Sequence, residues 1–469
     1  MAFIRTKIIC TIGPQSSNKT TLSRLHSAGM NVARINMSHA THKNAKEIID
    51  IIKSINETKN SKSSNIGILL DTQGPEIRTG DTSLPINLKV GDKVTLTVRD
   101  EVDVETSSIK VNYKGLVHSV DVGSRISVDN GLISFRVLSK ESDNLVCKVI
   151  HGGKVGSKRH VNLPGVRLDM PSITSKDIKD ITFGIKNNVD FIAASFVRNK
   201  KDLQILEDLL LKQKSESKII AKIENQEGLD NIDKICESAW GIMVARGDLG
   251  IETSLTDLPN IQRKIMNSCA KLGKRSIVAT HLLESMIENP TPTRAEVTDV
   301  ANAVYEGADA IMLSGETSIG KYPVECVKFL KSISKRTEKF KTLEYEKELI
   351  TNSDWESIAV AARDLSESIN ADGIIAVTRT GSTAGYISNA KPKDIPIYTF
   401  TNNINTLNQL SLVGSVVPFY LKRLNNHKKT LEHVRDVLKP LHRKKKLKFV
   451  MVSGIFSEKH SEAIQIINF

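Results

Sequence analysis

Eight short apolar runs, each followed by a longer amphipathic stretch, constrain the fold of this chain more than any other feature. They are KIICTIG (Lys7–Gly13), NVARINMS (Asn31–Ser38), IGILLDT (Ile66–Thr72), FIAASFV (Phe191–Val197), KIIAKIEN (Lys218–Asn225), GIMVARGDL (Gly241–Leu249), SIVATHLL (Ser276–Leu283) and DAIMLSGET (Asp309–Thr317). Strands that are apolar along their whole length fit a parallel sheet covered on both faces by helices. Eight strand–helix units in series fit a closed (β/α)8, or TIM, barrel. The spacing breaks once, between Thr72 and Phe191. The insert reads as all-β: INLKVGDKVTLTV, SRISVDNGLISFRVL and NLVCKVIHGG, with Gly and Asn-Gly turns. It starts near Pro75 and ends near VNLPGVRLDMPS, so prolines flank it on both sides. A domain inserted in a βα loop stands over the barrel's C-terminal mouth, where it can serve as a lid.

The last barrel helix is expected to end near Lys341. The polar stretch KTLEYEKELITNSD then leads into a helix, WESIAVAARDLSESI, and the strands GIIAVTRTG, PIYTFT and KLKFVMVSG. This order predicts a separate α/β domain. The expected architecture is therefore a (β/α)8 barrel over 1–74 and 168–341, a small β-barrel lid over 75–167, and a C-terminal α/β domain over 342–469.

The bulk properties agree with an ordinary globular protein. Apolar residues make up 39 % of the 469, enough for large cores. Met1–Arg5 does not open a signal peptide, and no apolar run approaches the ~20 residues of a membrane span. The five cysteines are scattered and form no CxxC, which fits reduced, buried thiols in a cytoplasmic protein. The net charge of +13 suits anionic partners, or is simply a basic composition. The basic run HRKKKLKF lacks interleaved aromatics, and aromatics are 4 % of the chain, so nucleic acid is not an expected partner.

Function in such a barrel sits at the C-terminal ends of the strands. There the second run carries Arg34, Asn36, Ser38 and His39. The third carries Asp71 and Thr72, with Glu76 and Arg78 just beyond. Lys222 and Glu224 end the fifth run, Asp248 the sixth, Thr280 and His281 the seventh, Ser314 and Glu316 the eighth. Singly, each has a plain explanation: Lys222 with Glu224 as a structural ion pair, Asp248 as a helix cap, Arg34 as a snorkelling side chain, Thr280 bonding its own backbone. Together they suit an anionic substrate and a hard cation. Glu224 and Asp248 are the kind of carboxylate pair that Mg²⁺ takes. Arg34 and Arg78 can grip phosphoryl oxygens, and Lys222 places a point charge where negative charge could develop. Asn36, Ser38, Asp71 and Thr72 offer oxygens for a second, weaker cation. No P-loop or GxGxxG is present.

The motifs KIICTIGP, GMNVARINMSH, LLDTQGPEIRTG, KIENQEG, GIMVARGDLG, PTPTRAEVTDVANAV and DAIMLSGETSIGKYP together resemble the pyruvate kinase family. The resemblance covers about residues 1–340 and continues, more weakly, through the C-terminal domain; the start resembles bacterial members. It implies a cytoplasmic homotetrameric phosphotransferase of glycolysis that makes pyruvate and ATP from phosphoenolpyruvate and ADP. It implies Mg²⁺ (or Mn²⁺) on Glu224 and Asp248, and K⁺ at Asn36, Ser38, Asp71 and Thr72. Arg34, Lys222, Gly247, Asp248 and Thr280 would bind substrate. Among these, Lys222, Thr280 and Arg34 would be catalytic, with Thr280 implicated in protonating the enolate. Asn36, His39, Arg78 and the lid residue Arg159 would meet the nucleotide.

Four positions depart from the family pattern: Gln73 and Arg159 stand where lysine is usual, His281 where glutamine is usual, and Glu76 is the K⁺-dependent choice. TRTGSTAG (Thr378–Gly385) resembles the family's effector loop, which implies a phosphate on Thr378, Thr380, Ser382 and Thr383. The last loop, SGIFSEKHSEAIQI, lacks the Gly-Ser-Gly that closes over fructose 1,6-bisphosphate. A sugar monophosphate, or no effector, fits better; a plainly capped helix is the simpler reading. Two rivals stand beside this one. A metal-dependent lyase or aldolase would use Glu224 and Asp248 equally well, with Lys222 as a Schiff base in one variant. A catalytically dead scaffold or a basic binding protein is the other.

Overall fold

A computed structural model of the protein describes residues 3–58, 65–82, 85–99, 108–422, 427–442, 444, 446–453 and 463–469. The eight apolar runs supply the eight strands of one closed parallel barrel: Lys7–Thr11, Val32–Asn36, Gly67–Asp71, Phe191–Ala194, Lys218–Ile223, Gly241–Ala245, Arg275–Ala279 and Ala310–Leu313. The first strand pairs with the second and closes on the eighth, Lys7 facing Ala310 and Cys10 facing Leu313.

Alternation along the strands builds two cores. Ile9, Val32, Leu69, Ala193, Ile220 and Met243 fill the barrel interior. Their neighbours Ile8, Ala33, Leu70, Ile192, Ala221 and Ile242 pack outward with the helices. Each fully buried aliphatic side chain contributes ~1.5–3 kcal/mol of transfer free energy. The same parity places polar groups: two residues beyond five of the inner positions, the inward face carries Thr11, Arg34, Asp71, Ser195 and Lys222.

The insert leaves the barrel after the third strand. Its exit is pinned by the capping box of the helix Ser175–Lys186, whose Asp177 also accepts hydrogen bonds from Gln73 N and Gly74 N, both at 3.1 Å. Expected as a small β-barrel, the insert is a six-stranded sheet and a two-stranded ladder around one apolar core. Asn162 Nδ2 donates to Glu252 Oε1 at 2.8 Å, tying the insert to the barrel.

The last barrel helix, Pro323–Thr337, stops four residues short of the expected Lys341. The next residue, Glu338, instead turns its carboxylate to Arg5 N and Thr6 N, at 3.0 and 2.8 Å. Beyond it lies a five-stranded sheet in the order Val416–Tyr420, Ile397–Thr401, Gly373–Val377, Lys448–Ser453 and Ala463–Asn468, the last strand antiparallel. Lys7 Nζ donates to Val416 O at 2.6 Å and Lys391 pairs with Asp309, joining sheet to barrel. No helix among the described residues is long and apolar enough to cross a membrane.

Candidate active site

At the C-terminal mouth of the barrel, four buried charges of alternating sign form a chain. Arg34 Nε donates to Asp71 Oδ2 at 2.6 Å, and Arg34 Nη1 to Thr11 Oγ1 at 2.8 Å. Lys222 Nζ lies 3.1 Å from Asp71 Oδ1 and 2.9 Å from Glu224 Oε1, and donates to Ser195 Oγ at 2.7 Å. Glu224 Oε2 accepts from Phe196 N at 2.7 Å. Asp71 and Glu224 are almost fully buried, at 0 % and 1 % exposure. Isolated charges at such depth would cost several kcal/mol each, so the chain survives only as a set.

Electrostatics confirm the interdependence. Burial alone would raise the Asp71 carboxyl, but Lys222 and Arg34 outweigh it and hold it below the usual carboxylate range. Burial alone would lower the Lys222 ammonium, but Asp71 and Glu224 hold it above its ordinary value. For Glu224, burial wins: its carboxyl is pushed up despite Lys222, with Asp248 and Asp71 adding to the push. Asp248 is pushed up by burial too, with Glu76 and Asp71 acting in the same direction.

Several of the plain single-residue explanations fail here. Arg34 does not snorkel; it is 9 % exposed and fixed to Asp71 and Thr11. Asp248 does not cap its helix: Arg246–Glu252 begins at Ala245 without a side-chain cap, and Asp248 lies in its first turn. Lys222 and Glu224 do pair, but within a larger cluster. A Schiff-base lysine needs a neutral amine, which the raised Lys222 ammonium opposes. Thr280 does bond its own backbone, donating to Ala279 O at 2.6 Å while accepting from Gly247 N at 2.9 Å.

The turn holding Thr280 is strained. Thr280 has φ +71° and His281 φ +52°, a region that β-branched residues avoid. Arg246 supports it, donating to Thr280 O at 2.5 Å and Ala279 O at 3.3 Å while pairing with Asp299 at 2.7 Å.

Ser195, Thr11 and His160 were not anticipated, and of Arg246 only the backbone beside Gly247 was expected to matter, not the guanidinium. Ser195 and Thr11 could have been found by carrying the inward parity of Lys222 to every strand. Arg246 carried a signal in its place beside Gly247. His160 Nδ1, 3.8 Å from Asp248 Oδ1, comes from the insert and carried none.

The second group of predicted residues is more dispersed. Asn36 faces Asp71 across the second and third strands, and Asn36 Oδ1 accepts from Ser38 N at 3.1 Å. Thr72 Oγ1 donates to Ala193 O at 3.2 Å. His39 N donates to Asn36 O at 3.2 Å, and the side chain is exposed. Arg78 pairs with Glu76 at 2.5 Å, and Gln73 Nε2 donates to the same Glu76 oxygen at 3.0 Å. Arg159 pairs loosely with Asp129 at 3.4 Å. Among the described residues no hydrogen bond or ion pair joins Arg78 or Arg159 to Asn36 or His39. Ser314 N and Leu283 N both donate to Glu316, which is a buried structural carboxylate.

Among the described residues no three His, Cys, Asp or Glu side chains gather as a metal cluster. That does not disfavour Mg²⁺, which takes one or two carboxylates and completes its octahedron with water and substrate oxygens. Glu224 and Asp248, both pushed up by burial and with the Asp248 charge adding to the push on Glu224, fit it. The K⁺ set fits less simply. The Asp71 carboxylate already serves two cations, and Thr72 O already accepts from Ser195 Oγ at 2.7 Å.

In the C-terminal domain, the four predicted effector residues do not act alike. Thr378 is buried and its Oγ1 accepts from Gly381 N at 3.0 Å. Thr380 and Ser382 bond each other at 3.0 Å. The helix Ser382–Asn389 begins at Gly381 with no side-chain cap, so it is not the plainly capped helix of the simpler reading. Most of the SGIFSEKHSEAIQI loop, 454–462, lies outside the described residues.

A closed (β/α)8 barrel with acids, bases and a strained threonine at its C-terminal mouth, under an inserted β-domain, defines an enzyme shaped for a small anionic substrate and a hard cation. The comparisons with known proteins give the particular family. The family description "Pyruvate kinase, barrel domain" matches residues 3–327, and "Pyruvate kinase, alpha/beta domain" matches 356–467. A pyruvate kinase of Staphylococcus epidermidis is 42% identical over 420 residues, 88% of this chain and 71% of the relative. Plastidial pyruvate kinase 2 of Arabidopsis thaliana is 41% identical over 438 residues, 92% of this chain and 75% of the relative. The crystal structure of a pyruvate kinase from Cryptosporidium parvum superposes with a TM-score of 0.93 at 34% identity, covering 99% of this chain and 96% of that one. The chain belongs to the pyruvate kinase family, whose members are phosphotransferases.

Proposed function

We propose that the protein transfers the phosphoryl group of phosphoenolpyruvate to ADP, giving pyruvate and ATP, at the mouth of the barrel. The observation that supports this most is the buried chain Arg34–Asp71–Lys222–Glu224, whose last carboxylate feels the charge of Asp248. Arg34 spends three of its five N–H donors on Asp71 and Thr11, leaving two for phosphoryl oxygens. Lys222 has all three of its donors engaged, so substrate must take over one of them. Glu224 and Asp248 would hold Mg²⁺; when bound, it neutralises charge on the phosphoryl oxygens and fixes their geometry. Asn36, Ser38, Asp71 and Thr72 would hold K⁺, with Asp71 shared with Arg34 and Lys222.

In the transfer, the bond from phosphorus to the enol oxygen breaks and a bond to a terminal ADP oxygen forms. Lys222 stabilises the enolate oxygen left behind. A proton then reaches the terminal carbon from the Thr280 side, after the hydroxyl turns away from Ala279 O. Arg78, Arg159, Asn36 and His39 would meet the nucleotide once the insert closes. Closure would exclude the water that otherwise accepts the phosphoryl group.

The divisions 1–74 with 168–341, 75–167 and 342–469 are proposed as the three domains. Tetramer assembly, cytoplasmic residence and an effector phosphate on Thr378, Thr380, Ser382 and Thr383 are proposed with them. Size-exclusion chromatography, cell fractionation and activation by sugar phosphates test these in turn. For the reaction itself, ATP and pyruvate are measured together with phosphoenolpyruvate, ADP and Mg²⁺. They should appear in equal amounts and only when ADP is present. Pyruvate without ATP would point to a phosphatase or lyase.

A further inference from the structure

A cavity of about 260 Å³ lies at the hinge, between the returning end of the insert and the barrel segments that follow the fourth, fifth and sixth strands. It is separate from the catalytic mouth: none of Arg34, Asp71, Lys222, Glu224, Asp248 and Thr280 lines it. Its insert side is apolar. Ile77, Val161 and Leu163 belong to the core of the insert, and Val166, Leu168 and Met170 pack against that core. Its barrel side is acidic. Glu227, Asp230 and Glu252 stand there, and among the described residues none of the three makes an ion pair. Asp230 accepts from the neutral Gln226 Nε2 at 2.8 Å. The neighbouring cations are otherwise engaged. Arg198 is spent on Asp202, at 3.1 Å, and on Leu168 O, at 2.8 Å. Burial holds the His160 imidazolium below its ordinary value, and Arg167 is exposed to solvent.

Asn162 and Glu252 meet in this wall. Asn162 is 2 % exposed, and its Nδ2 donates to Glu252 Oε1 at 2.8 Å. The carboxylate holds the amide by its nitrogen, so Asn162 Oδ1 is left over: it is closed to bulk water and accepts from nothing among the described residues. A buried oxygen without a donor costs free energy that a ligand can recover. Burial pushes the Glu252 carboxyl up to about 7, with Asp248 adding to the push, although the bonds from Asn162 and Leu163 N oppose it. Its charge, too, is held without enough compensation. A primary ammonium presents three N–H donors and one positive charge, so it can serve the orphan oxygen and the carboxylate together. An anion would instead meet three carboxylates. An apolar wall with a few convergent polar groups suits a small organic ligand.

We propose that this hinge cavity binds a small molecule with a primary ammonium head and an apolar body, the head bridging Asn162 Oδ1 and Glu252 and the body lying on Leu163, Val166 and Met170. The site does not depend on the phosphotransfer reading. Its walls belong to the insert and to the barrel, so occupancy would fix one against the other. Phe196, at φ +54°, forms part of the wall and gives its N–H to Glu224 Oε2 at 2.7 Å. A ligand pressing on Phe196 would therefore also bear on a carboxylate of the mouth.

The full-length protein is titrated calorimetrically with benzylamine, benzyl alcohol and benzoate at constant ionic strength and about pH 8, where the amine and the carboxylates carry their charges. Benzylamine should bind saturably. Benzyl alcohol should bind ~10-fold or more weakly, the loss expected for a charge-assisted contact, and benzoate should not bind. Glu252→Gln and Asn162→Leu should each weaken benzylamine by ~10-fold or more. Val166→Trp, which fills the cavity from a half-buried position, should abolish binding. Glu432→Gln, on an exposed position of the C-terminal domain, should leave it unchanged. Melting curves show which variants fold; if Asn162→Leu does not, Glu252→Gln, which keeps the acceptor, and Val166→Trp must carry the result. No saturable binding of benzylamine, equal binding of benzyl alcohol, or an unchanged Kd in the folded Glu252, Asn162 or Val166 variants would overturn the proposal.

Discussion

Thr280 is held where a β-branched residue rarely sits, and Arg246 is what holds it. Three guanidinium nitrogens reach Ala279 O, Thr280 O and Asp299. Arg246→Ala should relax the turn and leave two carbonyls and a carboxylate without their cation. The expected cost is ~2–4 kcal/mol of stability, with kcat falling more than KM changes. Arg246→Lys should rescue little, because an ammonium cannot reproduce the fork. Steady-state kinetics beside a thermal melt check this; a Lys variant with normal kcat would contradict it. At this scale the sequence was only half legible. Lys222, Glu224 and Arg34 stood out as charges in apolar strands, whereas Ser195 and Thr11 looked like ordinary strand residues. What ties them to the charged cluster is the partner on the next strand, Arg34 for Thr11 and Lys222 for Ser195, which a linear reading meets only through parity.

Strand-to-strand links outside the mouth carry their own consequences. Asp190, just before the fourth strand, is 3 % exposed and accepts from Ile68 N at 2.8 Å at the start of the third. Burial pushes its carboxyl up to about 7, against an ordinary 3.8, although the bond from Ile68 opposes. The folded protein thus keeps this proton where the unfolded chain has lost it. Stability must fall as pH rises between these two values, and the loss is complete above about 7. Asp190→Asn keeps an acceptor without the charge. Its melting temperature should exceed the parent's by more at pH 8 than at pH 4.5, with a ceiling of ~4 kcal/mol. An equal or smaller gain at pH 8 would contradict the assignment. Elements were more legible than residues. Barrel strands announce themselves because burial on both faces requires apolar runs. Val416–Tyr420 escaped because Pro418 breaks the strand pattern; it is tolerated on an edge. Ala463–Asn468 escaped because, as the antiparallel edge, it is mostly exposed and shows no buried face.

Among the described residues the molecule joins five buried clusters: two from the barrel, inside it and under its helices, one in the insert, and two in the C-terminal domain. Mouth and hinge do different things. The C-terminal mouth gathers charges that neutralise one another, whereas the hinge cavity leaves Glu227, Asp230 and Glu252 without a cation among the described residues. Order along the chain revealed the three-part plan, including the insert over the mouth. It could not reveal the hinge cavity, whose walls come from residues as far apart in the chain as Asn162 and Glu252, 90 positions. The central claim is that the Lys222 cluster carries phosphoryl transfer. The direct measurement is the rate of ATP formation from phosphoenolpyruvate and ADP with Mg²⁺, for the parent protein and for Lys222→Met, with folding of both verified by melting. The parent should form ATP, and the variant should lose kcat by ~10²–10³-fold or more, the range for removing a group that stabilises developing negative charge. A folded Lys222→Met protein that makes ATP at the parent's rate would contradict the account.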